Sequence, residues 1–328
     1  MMINITGTGR ALPENIVTNF DMAKIVETSD EWIRERTGIA ERRISTGDTV
    51  ASLSAKACEQ ALEMAGKQAE DVDLIIVATC SPEMLLPCAA CQVQGMIGAK
   101  NAVAFDLNAA CSGFLFGLST VYGYLQTGLY RNALVVGAEV LSKIIDWTDR
   151  STCVLFGDGA GAAFVEAIEG NEENAGIISI SQGSDGARGM VLSCQERKLS
   201  NPYIKDAIGE ENNFLHMDGQ EVYKFAVKQV PVCIQDALSK AGLTVEDIDH
   251  FVLHQANVRI LEAVAKRLKA DITKFPMNLN RVGNMSSATI PVLLDELNRE
   301  GKLKKGDKIV LSGFGAGLTY GACVMIWN

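Results

Sequence analysis

ALEMAGKQAEDVDLIIVA (residues 61–78) and ALSKAGLTVEDIDHFVLH (residues 237–254) follow one pattern, and residue for residue they stand 176 positions apart. Each reads as the last turns of a helix, an Ala-Gly stop, an acidic turn and an apolar strand. The same spacing carries ALVVG (133–137) onto IVLSG (309–313). Between these pairs, LQTG (125–128) and LNREG (297–301) align glycine to glycine at a spacing of 173, which requires a small indel. Ordered matches across half a chain indicate a duplicated domain; the period is too long for a solenoid. The expected halves are residues 1–170 and 171–328.

Outward from the repeat, β-branched runs alternate with helical patterns. The expected strands are 73–79, 102–107, 133–139, 161–168, 250–255 and 308–314, and the expected helices 51–65, 111–127, 219–241, 257–269 and 286–300. This alternation predicts an α/β protein with buried, largely parallel strands. Residues 184–215 are polar, weakly periodic and long for a simple connection, and read as a functional loop or flap.

With 328 residues, 48% hydrophobic and 21% charged, the chain can bury a core without disulfides or a structural metal. A net charge of −10 disfavours a general nucleic-acid binder. No apolar run approaches the ~20 residues that span a bilayer. The start, MMINITGTGRALPENIVTN, lacks the basic and apolar regions of a secretory signal. Nine scattered cysteines read as reduced thiols of a cytoplasmic protein.

Three residues sit where α/β proteins place chemistry. DLNAACSGFLFGLSTVYGYLQTG (106–128) joins a strand to a helix, with Cys111 at the junction among small neighbours. A thiol at a helix N-terminus meets the positive end of the dipole, which favours a thiolate nucleophile. A buried structural thiol fits the same position. His254 ends the strand of HFVLHQ (250–255), at the sheet edge where ligands gather. It suits an acid/base, an oxyanion donor or a hydrogen-bonded core histidine. Asn284, in RVGNMSSATIP (281–291), precedes a helix and suits an N-cap. At the 173 spacing it stands opposite Cys111, which would bring both to the pseudo-twofold centre and favours a site.

Other features are less pointed. FGDGAGAAF (156–164) and SGFGAGLTYGA (312–322) are glycine-rich but lack the Lys-Ser/Thr of a phosphate loop, and read as backbone turns exposing N–H groups. Cys88 and Cys91 form a CxxC without a second pair and read as thiols on a helix; no metal is expected. Arg259, Lys266, Arg267 and Lys269 share one helix, and Lys224 and Lys228 another. These are solvated faces or a docking patch for an acidic partner.

The ordered set DLNAACSGF (106–114), HQAN (254–257), VGNMSSATIP (282–291) and FGAGLTYG (314–321), with SDEWIRERTGIAERR (29–43) and DWTDRSTCVLFGDGAGA (146–162), resembles β-ketoacyl-acyl-carrier-protein synthase III of the thiolase-like superfamily. The resemblance runs over essentially the whole chain. It implies a thiolase-like five-layer αβαβα fold with two pseudo-symmetric halves, the first carrying the nucleophilic cysteine, the second the histidine and asparagine, in a homodimer. The implied reaction initiates type II fatty acid synthesis. An acyl-CoA primer condenses, with decarboxylation, onto malonyl-acyl carrier protein, giving 3-oxoacyl-acyl carrier protein, CoA and CO2. It implies no cofactor, since CoA is substrate and product, and no nucleic-acid or membrane partner.

By the same resemblance Cys111 is the nucleophile, and the backbone N–H groups of Cys111 and Ala316 hold the oxyanion. His254 and Asn284 donate to the malonyl thioester carbonyl. Trp32 and Arg150 sandwich the adenine of CoA, Arg36 lies near its phosphates and Asn257 near its pantetheine arm. Lys224 and Arg259 meet the acidic carrier protein. The chain departs from the pattern in three places. Ala316 replaces a frequent glycine. GNMSSA stands for the frequent GNTSAA, placing Met285 and Ser287 at the pocket wall. Leu86 occupies the place of a phenylalanine that in some relatives reaches into the partner's acyl pocket, which suggests a branched or longer primer. The alternative is a secondary-metabolic relative that keeps Cys, His and Asn but uses another acceptor; a non-catalytic binding member is a further one.

Overall fold

The computed structural model describes residues 1–169, 176–195, 198–209 and 213–328. The expected boundary at 170–171 lies outside the described residues, as do 196–197 and 210–212 of the anticipated loop.

Two sheets form the body. The first runs, in spatial order, Met2–Ala11, Gly159–Ile168, Asn132–Glu139, Leu74–Ala78, Val103–Leu107. The second runs His250–Leu253, Lys308–Gly315, Thr319–Ile326, Gly176–Ser184. Between them lie two central helices, Gly113–Gln126 and Thr289–Arg299, whose Phe114, Leu118, Ile290 and Leu294 share one buried cluster with residues of both sheets. Val50–Ala65 and Ala89–Ile97 cover the outer face of the first sheet. Gly219–Ala241 and Val258–Leu268 cover that of the second. The result is the expected order of five layers, helix, sheet, helix, sheet, helix.

The repeat is visible atom by atom. The two Ala-Gly stops end helices with left-handed glycines, Gly66 at φ 65° and Gly242 at φ 66°, a conformation that costs a residue with a Cβ more. Each stop leads through its acidic turn into a buried strand, Leu74–Ala78 or His250–Leu253.

The expectation of largely parallel strands is corrected. Leu74–Ala78 pairs in parallel with both neighbours, and His250–Leu253 with Lys308–Gly315. The remaining pairings in the two sheets are antiparallel. Helices cover both faces, so the central strands Asn132–Glu139 and Lys308–Gly315 are buried along nearly their whole length although each has an antiparallel neighbour. Of the two glycine-rich segments, 312–322 contains a reversal, whereas 156–164 lies mostly within the strand Gly159–Ile168 and not in the expected turn. Lys308–Gly315 turns directly into Thr319–Ile326.

Candidate active site

Each central helix begins with the same local structure. Asn108 Oδ1 accepts from the Ala110 N–H (3.1 Å), and Asn284 Oδ1 from the Ser286 N–H (2.8 Å). Ala110 and Ser286 then adopt left-handed backbone, φ 45° and 47°, at a cost of about 1 kcal/mol or more each. A turn of 3-10 helix follows, Ala110–Ser112 or Ser286–Ala288, and the α-helix starts. The spacing here is 176, so Asn284 answers to Asn108 and Ser287 to Cys111. The pairing of Asn284 with Cys111 at 173 is therefore wrong. The second helix ends three residues earlier relative to its start, which is the source of the 173 spacing downstream.

Glycines let these turns sink into the opposite half. A Cβ on Gly315 would lie 2.6 Å from the Cys111 backbone nitrogen, and one on Gly137 would lie 2.2 Å from the Ser287 carbonyl oxygen. Both distances are below van der Waals contact, so strand and turn meet backbone to backbone.

Cys111, His254, Asn284 and Ala316 line one cavity of about 490 Å³, which runs from exposed Arg36 past Trp32 and Asn257 to the buried thiol. Asn284 spends its oxygen on the turn, and its Nδ2 has no partner among the described residues. His254 follows the strand end, its N–H bonded to the Ser312 carbonyl (2.8 Å). Its ring meets Phe314 edge-on, centroids 5.4 Å apart, and its Nδ1 lies 2.6 Å from Thr289 Oγ1. Burial pulls its pKa down to about 3, so the ring is neutral at physiological pH.

The thiol departs from expectation. Burial pushes Cys111 up to about 12; the Ser286 hydroxyl pulls it down and the Glu139 carboxylate pushes it up. The helix dipole was expected to favour thiolate. The α-helix, however, starts only at Gly113, beyond the 3-10 turn, and Glu139 is buried close by. Glu139 accepts from Ser81 Oγ (2.6 Å) and the Cys80 N–H (3.1 Å), and Ser287 Oγ is 2.9 Å away. Burial raises its carboxyl too, against these bonds. Cys80, a second thiol lining the cavity, is pushed well up by burial. Sequence reading passed over Glu139, Cys80, Ser286 and Thr289, since each resembles an ordinary core or capping residue. The 176 spacing held the one usable signal, for it places Ser286 and Thr289 in the same turn as Cys111's.

Nearer the surface, Arg36 and Arg150 both stack on Trp32, at 4.5 and 4.9 Å from its ring centroid. An aromatic base between Trp32 and Arg150 needs roughly 7 Å, two ordinary contacts. As the side chains stand the two are too close for that, and Arg150 is held by its bond to the Glu27 carbonyl (2.8 Å). Asn257 caps Val258–Leu268 through Oδ1 and donates from Nδ2 to the Arg36 carbonyl (2.9 Å), so its amide ties two elements of the cavity together. Arg259 donates to the Glu35 carbonyl (2.9 Å), and Lys224 pairs with Glu221 (2.8 Å); both are exposed. Leu86 is 86% exposed, beside exposed Met84 and Leu85, and does not line this chain's cavity. The anticipated loop contributes Leu192, Ser193, Cys194 and Leu215 to the cavity wall.

Among the described residues, no helix is long and apolar enough to cross a membrane. Among the described residues no cysteine forms a disulfide; Cys88 stands at the N-terminal cap of Ala89–Ile97 and Cys91 lies within it.

Residues 105–186 match the family model for 3-oxoacyl-(acyl-carrier-protein) synthase III, and residues 238–327 match its C-terminal model. The chain is 53% identical to the β-ketoacyl-(acyl-carrier-protein) synthase III of Clostridium acetobutylicum over 99% of each chain. It superimposes on the crystal structure of 3-oxoacyl-(acyl-carrier-protein) synthase III from Aquifex aeolicus with a TM-score of 0.92 and 41% identity, covering 99% of this chain and 100% of that one. The priming β-ketosynthase of the R1128 polyketide pathway is similar at 34% identity and a TM-score of 0.90, over 100% and 96% of the chains.

Proposed function

Because the chain belongs to the 3-oxoacyl-(acyl-carrier-protein) synthase III family, we propose that Cys111, His254 and Asn284 carry out the initiating condensation of fatty acid synthesis in the cavity they share. The protein is an acyl-transferring condensing enzyme, with an acyl-CoA as primer and malonyl-acyl carrier protein as extender. The secondary-metabolic alternative is not favoured, since identity to the polyketide priming enzyme is 34% against 53% for the fatty acid enzyme.

The thiol of Cys111 attacks the primer thioester, and its proton ends on the departing CoA sulfur. The exchange is thioester for thioester, so a pocket that disfavours charge gains none. The N–H groups of Cys111 and Ala316 receive the oxyanion of the tetrahedral intermediate. Malonyl-carrier protein then binds, and its carboxylate leaves as CO2. The electron pair left behind spreads onto the thioester oxygen, where Asn284 Nδ2 and the neutral His254 ring donate. The resulting carbanion attacks the acyl group, and Cys111 leaves as thiolate and takes up a proton. A cysteine with a pKa of about 12 returns readily to the thiol.

Trp32, Arg36 and Arg150 hold the CoA nucleotide at the exposed end, with Asn257 beside the pantetheine. Arg259 and Lys224 receive the acidic carrier. The exposed Met84–Leu86 segment supports a homodimer in which Leu86 crosses to the partner's acyl pocket. No prosthetic group is invoked, and the enzyme works in the cytoplasm.

The observation that carries this reading is the single cavity joining buried Cys111, His254 and Asn284 to the Trp32–Arg36 surface. The test is intact-protein mass after mixing with a panel of acyl-CoAs, then with malonyl-carrier protein. An adduct at Cys111 that disappears as 3-oxoacyl-carrier protein forms is expected, and Cys111→Ala must form none. An adduct that malonyl-carrier protein cannot discharge would overturn the choice of acceptor.

A further inference from the structure

Thr289 is fully buried at the first turn of the second central helix, with its hydroxyl 2.6 Å from His254 Nδ1. Among the described residues this is the only polar contact of the imidazole, and Nε2 has none. The same hydroxyl lies 3.0 Å from the Ser286 carbonyl oxygen. That carbonyl already accepts the Thr289 backbone N–H. The hydroxyl's single proton can go to that carbonyl or to Nδ1; the 2.6 Å contact to Nδ1 has the length of a bond from an O–H donor and is short for one from a ring N–H.

A neutral imidazole has one N–H, and the partner of one nitrogen decides which nitrogen carries it. If the Thr289 hydroxyl donates to Nδ1, the ring proton must sit on Nε2. We propose that Thr289 is a positioning residue that holds His254 in the Nε2–H tautomer, so that the ring presents a hydrogen-bond donor to the cavity. The proposal rests on the reading above, in which His254 donates to the malonyl thioester oxygen. Phe314, edge-on to the ring, restrains its tilt. Neither contact fixes the tautomer except the one to Thr289. The opposite tautomer would aim a lone pair at a developing negative oxygen and oppose the condensation. Acylation of Cys111 asks nothing of that donor.

The test uses the full-length enzyme labelled with 15N-histidine. Its three histidines, His216, His250 and His254, give few enough signals to assign with His216→Gln and His250→Gln. Two-bond 1H–15N correlation should show His254 protonated on Nε2 in the wild type. Thr289→Val keeps the shape and removes the hydroxyl. It should shift the His254 signals toward a tautomer mixture and slow condensation about tenfold or more, while acyl-CoA still loads Cys111 at the wild-type rate. Thr289→Ser should restore both. A wild-type ring protonated on Nδ1 overturns the proposal, a result available even if the valine variant does not fold. So does a valine variant with unchanged tautomer and unchanged condensation. In either case His254→Ala would still lose condensation if the broader reading is right. If His254→Ala condenses normally, the donor role falls and the Thr289 role with it.

Discussion

Gly315→Ala is the sharpest probe of how the nucleophile is seated. Gly315 ends a strand of the second sheet, and a methyl group there would lie 2.6 Å from the Cys111 backbone nitrogen and 3.1 Å from its Cβ. That is roughly 0.9 Å short of ordinary contact. The obstacle is backbone, so no side-chain rotation relieves it. Either the strand end retreats or the Cys111 turn does, and both carry an N–H group proposed above as an oxyanion donor. A displacement of about 1 Å in a reacting group costs on the order of 100-fold in rate. Overpacking adds about 1–3 kcal/mol of instability. The assay is single-turnover acylation by acyl-CoA, followed by intact mass, alongside thermal unfolding. Gly321→Ala is the control, because its methyl would meet the flexible Gln182 side chain at 3.2 Å. We expect Gly315→Ala to acylate roughly 100-fold more slowly, with the control within about threefold. A Gly315→Ala enzyme that acylates like wild type would show that the close approach of strand and turn does not set the reacting geometry.

Alkylation of free Cys111 by iodoacetamide should accelerate about tenfold per pH unit from pH 6 to 9, because burial holds the thiol protonated until about 12. A plateau below pH 8 would mean the helix dipole outweighs burial. His254→Ala should still form the acyl-enzyme but lose decarboxylative condensation, read by the same mass assay; full condensation by the variant would refute its role. His254 is neutral above about 3, and it loses its neutral form only as pH falls through that value. The His254 ring 15N signals should therefore show no titration at pH 6–7, and an inflection there would refute the assignment. Trp32→Ala should raise the KM for acyl-CoA by roughly 3- to 30-fold, the worth of a cation–π and stacking contact, with little change in kcat; an unchanged KM would remove Trp32 from the CoA site.

The layered fold is legible in the sequence because caps and strands recur at a fixed spacing. Ala65-Gly66 and Ala241-Gly242 need a left-handed glycine at each helix end, and that requirement survives in both copies. Strand direction is not legible, because burial on both faces erases the alternation that would mark an antiparallel pair. Met2–Ala11 and Gly176–Ser184 escape the sequence reading, their apolar residues being interrupted by Gly, Ser and Thr. Cys111, His254 and Asn284 are found by motif, and the cavity brings them together. The symmetry argument for Asn284 used the wrong register: its counterpart is Asn108, not Cys111. Thr289 is invisible in sequence because a threonine at a helix start has a local explanation ready. The upward push on Cys111 is invisible too, since a helix start advertises its dipole while the burial around it comes from distant residues such as Glu139.

The two backbone-to-backbone contacts run across the duplication. Gly137, from the first sheet, seats the turn that carries Asn284, and Gly315, from the second, seats the turn that carries Cys111. Each copy holds the other's chemistry in place. A half expressed alone would lack the surface on which its own turn is formed, so the two are obliged to fold as one cooperative unit.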